Sequence, residues 1–419
     1  MRAPWIPFAL LLPLACASPA SPSLDAAADA APDLPVDLAP PLDRAVVDAG
    51  PPCTARCVYG RMCVNGRCED HWRAVPMAGA PSPRSRHRLV WTGTEAIVWG
   101  GFGDPALFHD GARFDPATSR WRPMTNAGAP SERMSPIGLW TATEMFVWGG
   151  RARTGVLGDG ARYDPARDAW RAVSATGAPS ARAEALAVWT GAEVIVWGGV
   201  GGLGPLGDGA RYDPRADTWR AMSSTGAPSA RYGMFFAWTG SELIVFGGAG
   251  EGGAAADGAR YDPRTDAWRP IGVDGAPEVR SQGATVWTGR EVFVWGGFDG
   301  RGNERDVGGL YDPATDRWRP LPSRGAPSPR AYFAAALAGR EVVVWGGSGS
   351  DRSTVPAMIT RTETGAVFDI DLFAWREIDT LGAPARRNEH PMVWTGSELL
   401  VWGGAGTLGR LATGGLLQP

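Results

Sequence analysis

The sequence predicts an all-β chain folded as a seven-bladed β-propeller. Three observations carry that reading. A pattern of about 50 residues returns in phase over most of the chain. Each copy holds four short runs with strand chemistry. The copies are also cut so that the fragments left at the two ends complement each other.

One copy runs Gly177-Ala178-Pro179-Ser180-Ala181-Arg182, then Ala187-Val188-Trp189-Thr190-Gly191 and Val194-Ile195-Val196-Trp197-Gly198-Gly199. It continues as Asp208-Gly209-Ala210-Arg211-Tyr212-Asp213-Pro214 and closes at Trp219-Arg220. The first glycine of each pair stands at 100, 149, 198, 247, 296, 346 and 403, and the closing tryptophans Trp72, Trp121, Trp170, Trp219, Trp268, Trp318 and Trp375 step in parallel.

Local chemistry sets each strand. The first run ends at Trp-Thr-Gly, where a tight turn sends the second run back as a hairpin. The glycine pair ends the second strand. The third carries Tyr163, Tyr212, Tyr261 or Tyr311 before Asp-Pro, and proline cannot donate to a ladder, so the strand stops and turns. The fourth carries the closing tryptophan. Six complete copies run from about Ser82 to Trp375, preceded by a lone fourth strand at Trp72 and followed by three strands ending near Leu416-Leu417. The last blade is therefore expected to be assembled from both ends (3+1), which hides two open edges.

Of the 20 tryptophans, seven close a fourth strand, six sit at Trp-Thr-type positions and six precede the glycine pair, while Trp5 lies near the start. Burial of ~150–250 Å² each, at ~25 cal/mol per Å², makes them core. Phe246 and Leu337 fill two of these positions as packing substitutes.

The paired glycines, the tyrosine before a turn and the later tryptophan resemble the kelch family, of the type seen in the galactose oxidase central domain, from Trp72 onward. The resemblance implies four-stranded blades around a central channel. It also raises enzymatic relatives. A copper radical oxidase needs a cysteine crosslinked to a tyrosine, and no cysteine follows Cys68. A sialic acid mutarotase needs carboxylates and arginine over the channel, which Arg86, Glu184 and Glu389 leave open. Sialidase-type Asp boxes are absent, as are P-loop, nucleophile-elbow and His-Glu-x-x-His patterns.

Residues 1–16 read as a signal peptide: one Arg, then an apolar stretch from Trp5 to Ala15, too short to span a membrane. Leu12-Pro13-Leu14-Ala15-Cys16 resembles a bacterial lipobox, with Pro13 where leucine is usual, and marks Cys16 for lipidation. Ala15-Cys16-Ala17 also fits an ordinary cleavage site. Residues 17–52, Pro, Ala and Asp without an aromatic, form a disordered linker. Within 53–70, Cys53, Cys57, Cys63 and Cys68 make a small knot of two disulfides with pairing open, and 71–419 is the propeller. The expected location is outside the cytoplasm, as an outer-membrane or cell-surface lipoprotein, otherwise periplasmic or secreted. A lipid would be the sole membrane attachment.

With 41 basic residues, all arginine, against 44 acidic ones, nothing draws the chain to nucleic acid. No metal and no cofactor is expected, and the chain is read as a monomer. Arg84, Arg133, Arg182, Arg231, Arg280, Arg330 and Arg387 recur once per blade and are read as caps on loop carbonyls or a neighbouring blade's carboxylate. Two residues later the blades diverge: Arg86, Ser135, Glu184, Gly233, Gln282, Tyr332, Glu389. This polar, non-repeating row, with Tyr232, is the candidate pocket at the channel mouth. His87 and His390, one residue further, are equivalent imidazoles of adjacent blades and a weak metal pair. Antiparallel order gathers the variable loops on one rim, including Arg301, Asn303 and Glu304 in blade five and Asp351 and Arg352 in blade six, where binding residues on a rigid scaffold belong. The function expected is non-enzymatic binding of a protein or glycan by that rim. The alternatives are a sugar-active enzyme such as the mutarotase, or a structural envelope lipoprotein.

Overall fold

A computed structural model describes residues 62–64, 67–69, 71–278, 280–351 and 358–419. The leader with Cys16, the linker, Cys53, Cys57 and Arg352 lie outside the described residues. All described elements are strands and turns.

Seven four-stranded antiparallel sheets form the blades. Blade three is representative: Leu186–Trp189, Val194–Trp197, Gly209–Asp213 and Thr218–Ala221, each paired with the next. The first strands touch one another around the axis and line the channel. The second strands, such as Val194–Trp197, are buried along their whole length because neighbouring blades cover both faces.

Blade seven takes Met392–Trp394, Leu399–Trp402 and Gly414–Gln418 from one end of the chain and His71–Ala74 from the other, with Trp72 opposite Leu417. The 3+1 closure is as expected. Arg73 fastens it, donating to Glu398 at 2.8 and 2.7 Å and reaching the Pro116 carbonyl of blade one at 3.5 Å.

Blade-to-blade cohesion is aromatic. The residue before each glycine pair meets the closing tryptophan of the next blade: Trp99–Trp170 at 5.5 Å, Trp148–Trp219 at 5.5 Å and Trp197–Trp268 at 5.4 Å between ring centroids. Phe246 takes the same seat against Trp318 at 4.7 Å, as a packing substitute should. Trp295–Trp375, Trp345–Trp72 and Trp402–Trp121 complete the circle at 5.6, 4.4 and 5.4 Å. Each closing indole also donates its N–H to a carbonyl just past the preceding blade's fourth strand, as Trp219 does to Ser174 at 2.8 Å and Trp72 to Asp379 at 3.1 Å. A buried indole thus keeps its polar edge satisfied.

Smaller elements escaped the sequence reading. The loops between strands two and three carry short hairpins of their own: Arg151–Ala152 with Gly155–Val156, Ala249–Gly250 with Gly253–Ala254, Ser348–Asp351 with Met358–Arg361 and Ala405–Gly406 with Gly409–Arg410. Ahead of the propeller, Met62–Val64 pairs with Arg67–Glu69, in a register that sets Cys63 opposite Cys68.

Because Trp72 belongs to a stack that crosses the chain ends, Trp72→Ala is expected to cost about 3–5 kcal/mol, as a buried Trp→Ala does elsewhere. Urea unfolding of the variant beside Trp121→Ala, an equivalent position inside the continuous chain, checks this. Equal losses support closure as a full structural joint, and an unchanged midpoint for Trp72→Ala refutes it.

Candidate functional site

The repeated arginines are structural. Arg182 is fully buried and donates to the carbonyls of Ser180, Gly198 and Asp208 at 2.8, 3.1 and 2.9 Å and to the Asp208 carboxylate at 3.0 Å. Its own carbonyl accepts from Gly150, and its N–H donates to Leu157, both in the preceding blade. The guanidinium therefore grips its own blade while the main chain grips the one before. All seven arginine carbonyls accept the N–H of the preceding blade's second paired glycine, at 2.8–2.9 Å. The carbonyl-capping expectation holds, and the carboxylate engaged is the arginine's own blade's. In blade five, among the described residues, Arg280 has no such carboxylate partner and donates to the Val307 carbonyl. In blades six and seven threonines Thr364 and Thr413 replace the carboxylate, and burial pushes Arg280, Arg330 and Arg387 down to about 10. The Asp-Pro aspartates form turns as expected, Asp115 accepting from Ala117 at 2.9 Å.

Two residues beyond each arginine the chain turns into the channel mouth. Arg86, Ser135, Glu184, Gly233, Gln282, Tyr332 and Glu389 all adopt left-handed φ between 49° and 60°. Six of the seven are not glycine, so each bears a penalty of roughly 1–2 kcal/mol. Main-chain bonds between blades offset it along an open run that skips Glu184: Arg86 donates to the Glu389 carbonyl at 3.1 Å, Ser135 to Arg86 at 2.9 Å, Gln282 to Gly233 at 3.0 Å, Tyr332 to Gln282 at 3.4 Å and Glu389 to Tyr332 at 3.0 Å. The conformation is shared by every blade and belongs to the scaffold. The side chains carry the variation.

The structure brings this row together. Arg86 holds Glu389 through Nε at 2.9 Å and Nη2 at 2.5 Å, and Ser85 adds a hydroxyl at 3.2 Å. Burial would raise the Glu389 carboxyl, yet the Arg86 bond and charge hold it below the usual range. Gln282 reaches past blade four to donate to Glu184 at 3.2 Å. That reach exists because blade four has Gly233, where a Cβ would lie 2.7 Å from the Gln282 amide nitrogen. Burial, with the Glu184 and Glu389 charges, pushes the Tyr332 hydroxyl up against the opposing pull of Arg86. Tyr232 stands among the same groups.

The rim loops form a second, separate cluster. In blade five Asp299 organises the loop, accepting from the Arg301 and Asn303 N–H groups at 2.8 Å each and from the Asn303 amide at 3.0 Å, with Arg305 at 2.9 Å. Against the upward push of burial, the Asn303 and Arg301 bonds bring its carboxyl to about 2. Glu304 accepts from Ser350 of blade six at 2.7 Å. Arg301 is exposed. Asp351 sits in the blade-six hairpin opposite Met358.

His87 and His390 are fully enclosed but occupy separate slots. His87 packs on Gly403 and edges Trp402 at 5.3 Å, and His390 packs on Gly346. Other blades place Ala185, Met234 or Phe333 there. Among the described residues no group of three or more His, Cys, Asp or Glu converges as metal ligands. On the opposite rim two shallow clefts, of about 500 and 650 Å³, open between blades seven and one and between blades one and two. Repeat turn residues such as Glu95, Asp115 and Asp164 bound them, so they belong to the joints.

The family model of the KLHDC2/KLHL20/DRC7 Kelch-repeats domain matches residues 62–248 and again 185–404. The chain belongs to the kelch-repeat family. No curated protein matches it. In this kelch propeller the residue that the sequence reading missed is Arg88, one place beyond His87. It was passed over as part of a strand, although the other blades carry Ile137, Leu186, Phe235, Ala284, Ala334 and Pro391 at that position.

Burial drives His87 well below the ordinary imidazole range and His390 to about 3, so both imidazoles are neutral in the fold. In the unfolded chain each takes up a proton below about pH 6.5. Their stabilising contribution is complete above that pH and is lost as the pH falls below it, by up to about 1.4 kcal/mol per pH unit for each. The double variant His87→Phe/His390→Phe is expected to flatten the fall in unfolding free energy between pH 7 and pH 5. Identical slopes for variant and parent would show that the two rings are not neutral in the fold.

Proposed function

We propose that this kelch propeller is a non-catalytic module displayed outside the cell, held there by a lipid at Cys16, which captures a protein partner on the rim built by its loops between strands two and three and between strands four and one. The observation that carries the reading is the asymmetry of the two rims. One rim is made of near-identical tight turns closed by Thr-to-Glu main-chain bonds, such as Thr190 to Glu193 at 2.9 Å and Thr239 to Glu242 at 3.0 Å. The other holds every long or irregular loop.

That second rim also presents apolar tips. Leu203 of blade three, between Gly202 and Gly204, is 97% exposed and Leu408 of blade seven, between Thr407 and Gly409, is 101% exposed, each at a loop apex. A large apolar side chain held wholly in water on a rigid scaffold suits a protein surface better than a sugar. Exposed Arg301, in the blade-five loop that also carries Glu304, adds charge to the same rim. The channel-mouth row lacks a proton-transfer pair free of internal partners, since Glu389 is held by Arg86, which favours binding over sugar catalysis.

Crosslinking and pull-down of the full chain from its native envelope, with Leu203→Asp/Leu408→Asp alongside, tests the rim. Loss of the captured partner in a variant of unchanged melting temperature is the expected result. A partner retained at full yield, or capture abolished by a soluble glycan alone, would replace the protein reading. Separately, metabolic palmitate labelling is expected to mark the parent and to vanish in Cys16→Ser; an unlabelled parent excludes the lipid anchor.

A further inference from the structure

Arg88 breaks the repeat at the channel wall, and a second residue breaks it to match. At the next position in blade two stands Gly138, where a Cβ would lie 2.4 and 2.6 Å from the Arg88 side-chain carbons. Among equivalent residues of the other blades are Ala187, Phe236 and Thr285. The arginine stem thus runs across the gap that the glycine leaves, and Nε donates to the Pro136 carbonyl. Among the described residues the two terminal nitrogens make no hydrogen bond or ion pair, and neither is sealed from solvent. Burial lowers the guanidinium from its ordinary value, opposed by the charge of Glu184.

Glu184 is the complementary group. It accepts one neutral donor, the Gln282 amide, and no ion pair ties it to Arg88 or Arg86. A partly buried guanidinium and a partly buried carboxylate therefore face the same bore without meeting. Holding two unpaired charges in such a place costs stability, which is the mark of a site whose partner comes from solution. The charges also define that partner. The fork of Arg88 matches a carboxylate. Glu184, an acceptor only when ionised, needs a hydroxyl or an ammonium.

We propose that the channel binds a small carboxylate that also carries a hydrogen-bond donor, a hydroxy acid or an amino acid in chemical class, with its carboxylate on Arg88 and its donor on Glu184. This site is separate from the rim, and its failure would leave the rim reading untouched.

Isothermal titration of the full chain with four probes tests it: D-glucuronate, serine, propionate and D-glucose. Glucuronate or serine is expected to bind; glucuronate has hydroxyls alone and serine both donors, so binding of glucuronate assigns a hydroxyl as the second group. Glucose lacks the carboxylate and propionate the donor, and each is expected to bind about tenfold or more weakly than the better probe. Arg88→Met keeps the stem over Gly138 and removes the charge. It should weaken that probe by about tenfold to a hundredfold with its melting temperature held, and Glu184→Gln should weaken it less. The proposal is overturned if neither glucuronate nor serine binds. It is equally overturned if a folded Arg88→Met binds as the parent does, or if glucose and propionate match the better probe. Should Arg88→Met fail to fold, Glu184→Gln decides, because undiminished binding there refutes the two-point site.

Discussion

Each blade is tied to the one before it by a single buried arginine, and the rest of the propeller is built on that tie. The guanidinium of Arg182 closes the carbonyls at the base of its own loop, while its main chain pairs with Gly150 and Leu157 of the preceding blade. A buried charge survives there because several carbonyls and a carboxylate surround it. The arginine fixes the height at which the chain enters the first strand, and so the place where the left-handed residue falls two positions later. Stacked indoles supply the apolar area between blades, but they carry no comparable directional information.

The same tie explains why variation is tolerated where it occurs. Loops between strands two and three begin at the glycine pair and end at the carbonyls that the arginine holds, so both feet are fixed whatever lies between. Blade six places Ser348–Asp351 and Met358–Arg361 in that interval without shifting Gly346 or Thr364 from Arg330. Side chains at the mouth vary on equal terms, because the main-chain bonds that run from Ser135 through Arg86, Glu389, Tyr332 and Gln282 to Gly233 are indifferent to them. Function is thereby separated from folding, with recognition residues seated on a frame that does not depend on their identity.

Much of this frame was legible in the sequence, because a property repeated seven times is averaged over its exceptions. The strand count, the shared seventh blade, the seat of Phe246 and the capping work of Arg182 all followed from the period alone. What stayed hidden are pairwise events. Gln282 meets Glu184 only because Gly233 between them is small, and Arg88 crosses Gly138 by the same device. Such pairs join positions in different blades, so no local pattern shows them. The left-handed row was hidden for another reason: Arg86, Gln282, Tyr332 and Glu389 are not residues that favour that conformation, and bonds between blades hold them in it. The small loop hairpins, two to four residues a side, lie below what alternation can reveal.

The strand His71–Ala74 has one further bearing. It lies along Gly415–Gln418 and is the first propeller element reached from the N-terminal side. A mechanical pull on the segment ahead of His71 therefore loads four ladder residues along their own direction, in shear, together with the Arg73–Glu398 bond. Hydrogen bonds arranged this way resist as a group instead of opening one after another. The ring is thus hung from the seam that closes it, and tension from the N-terminal side meets the clasp before it meets any loop of the rim.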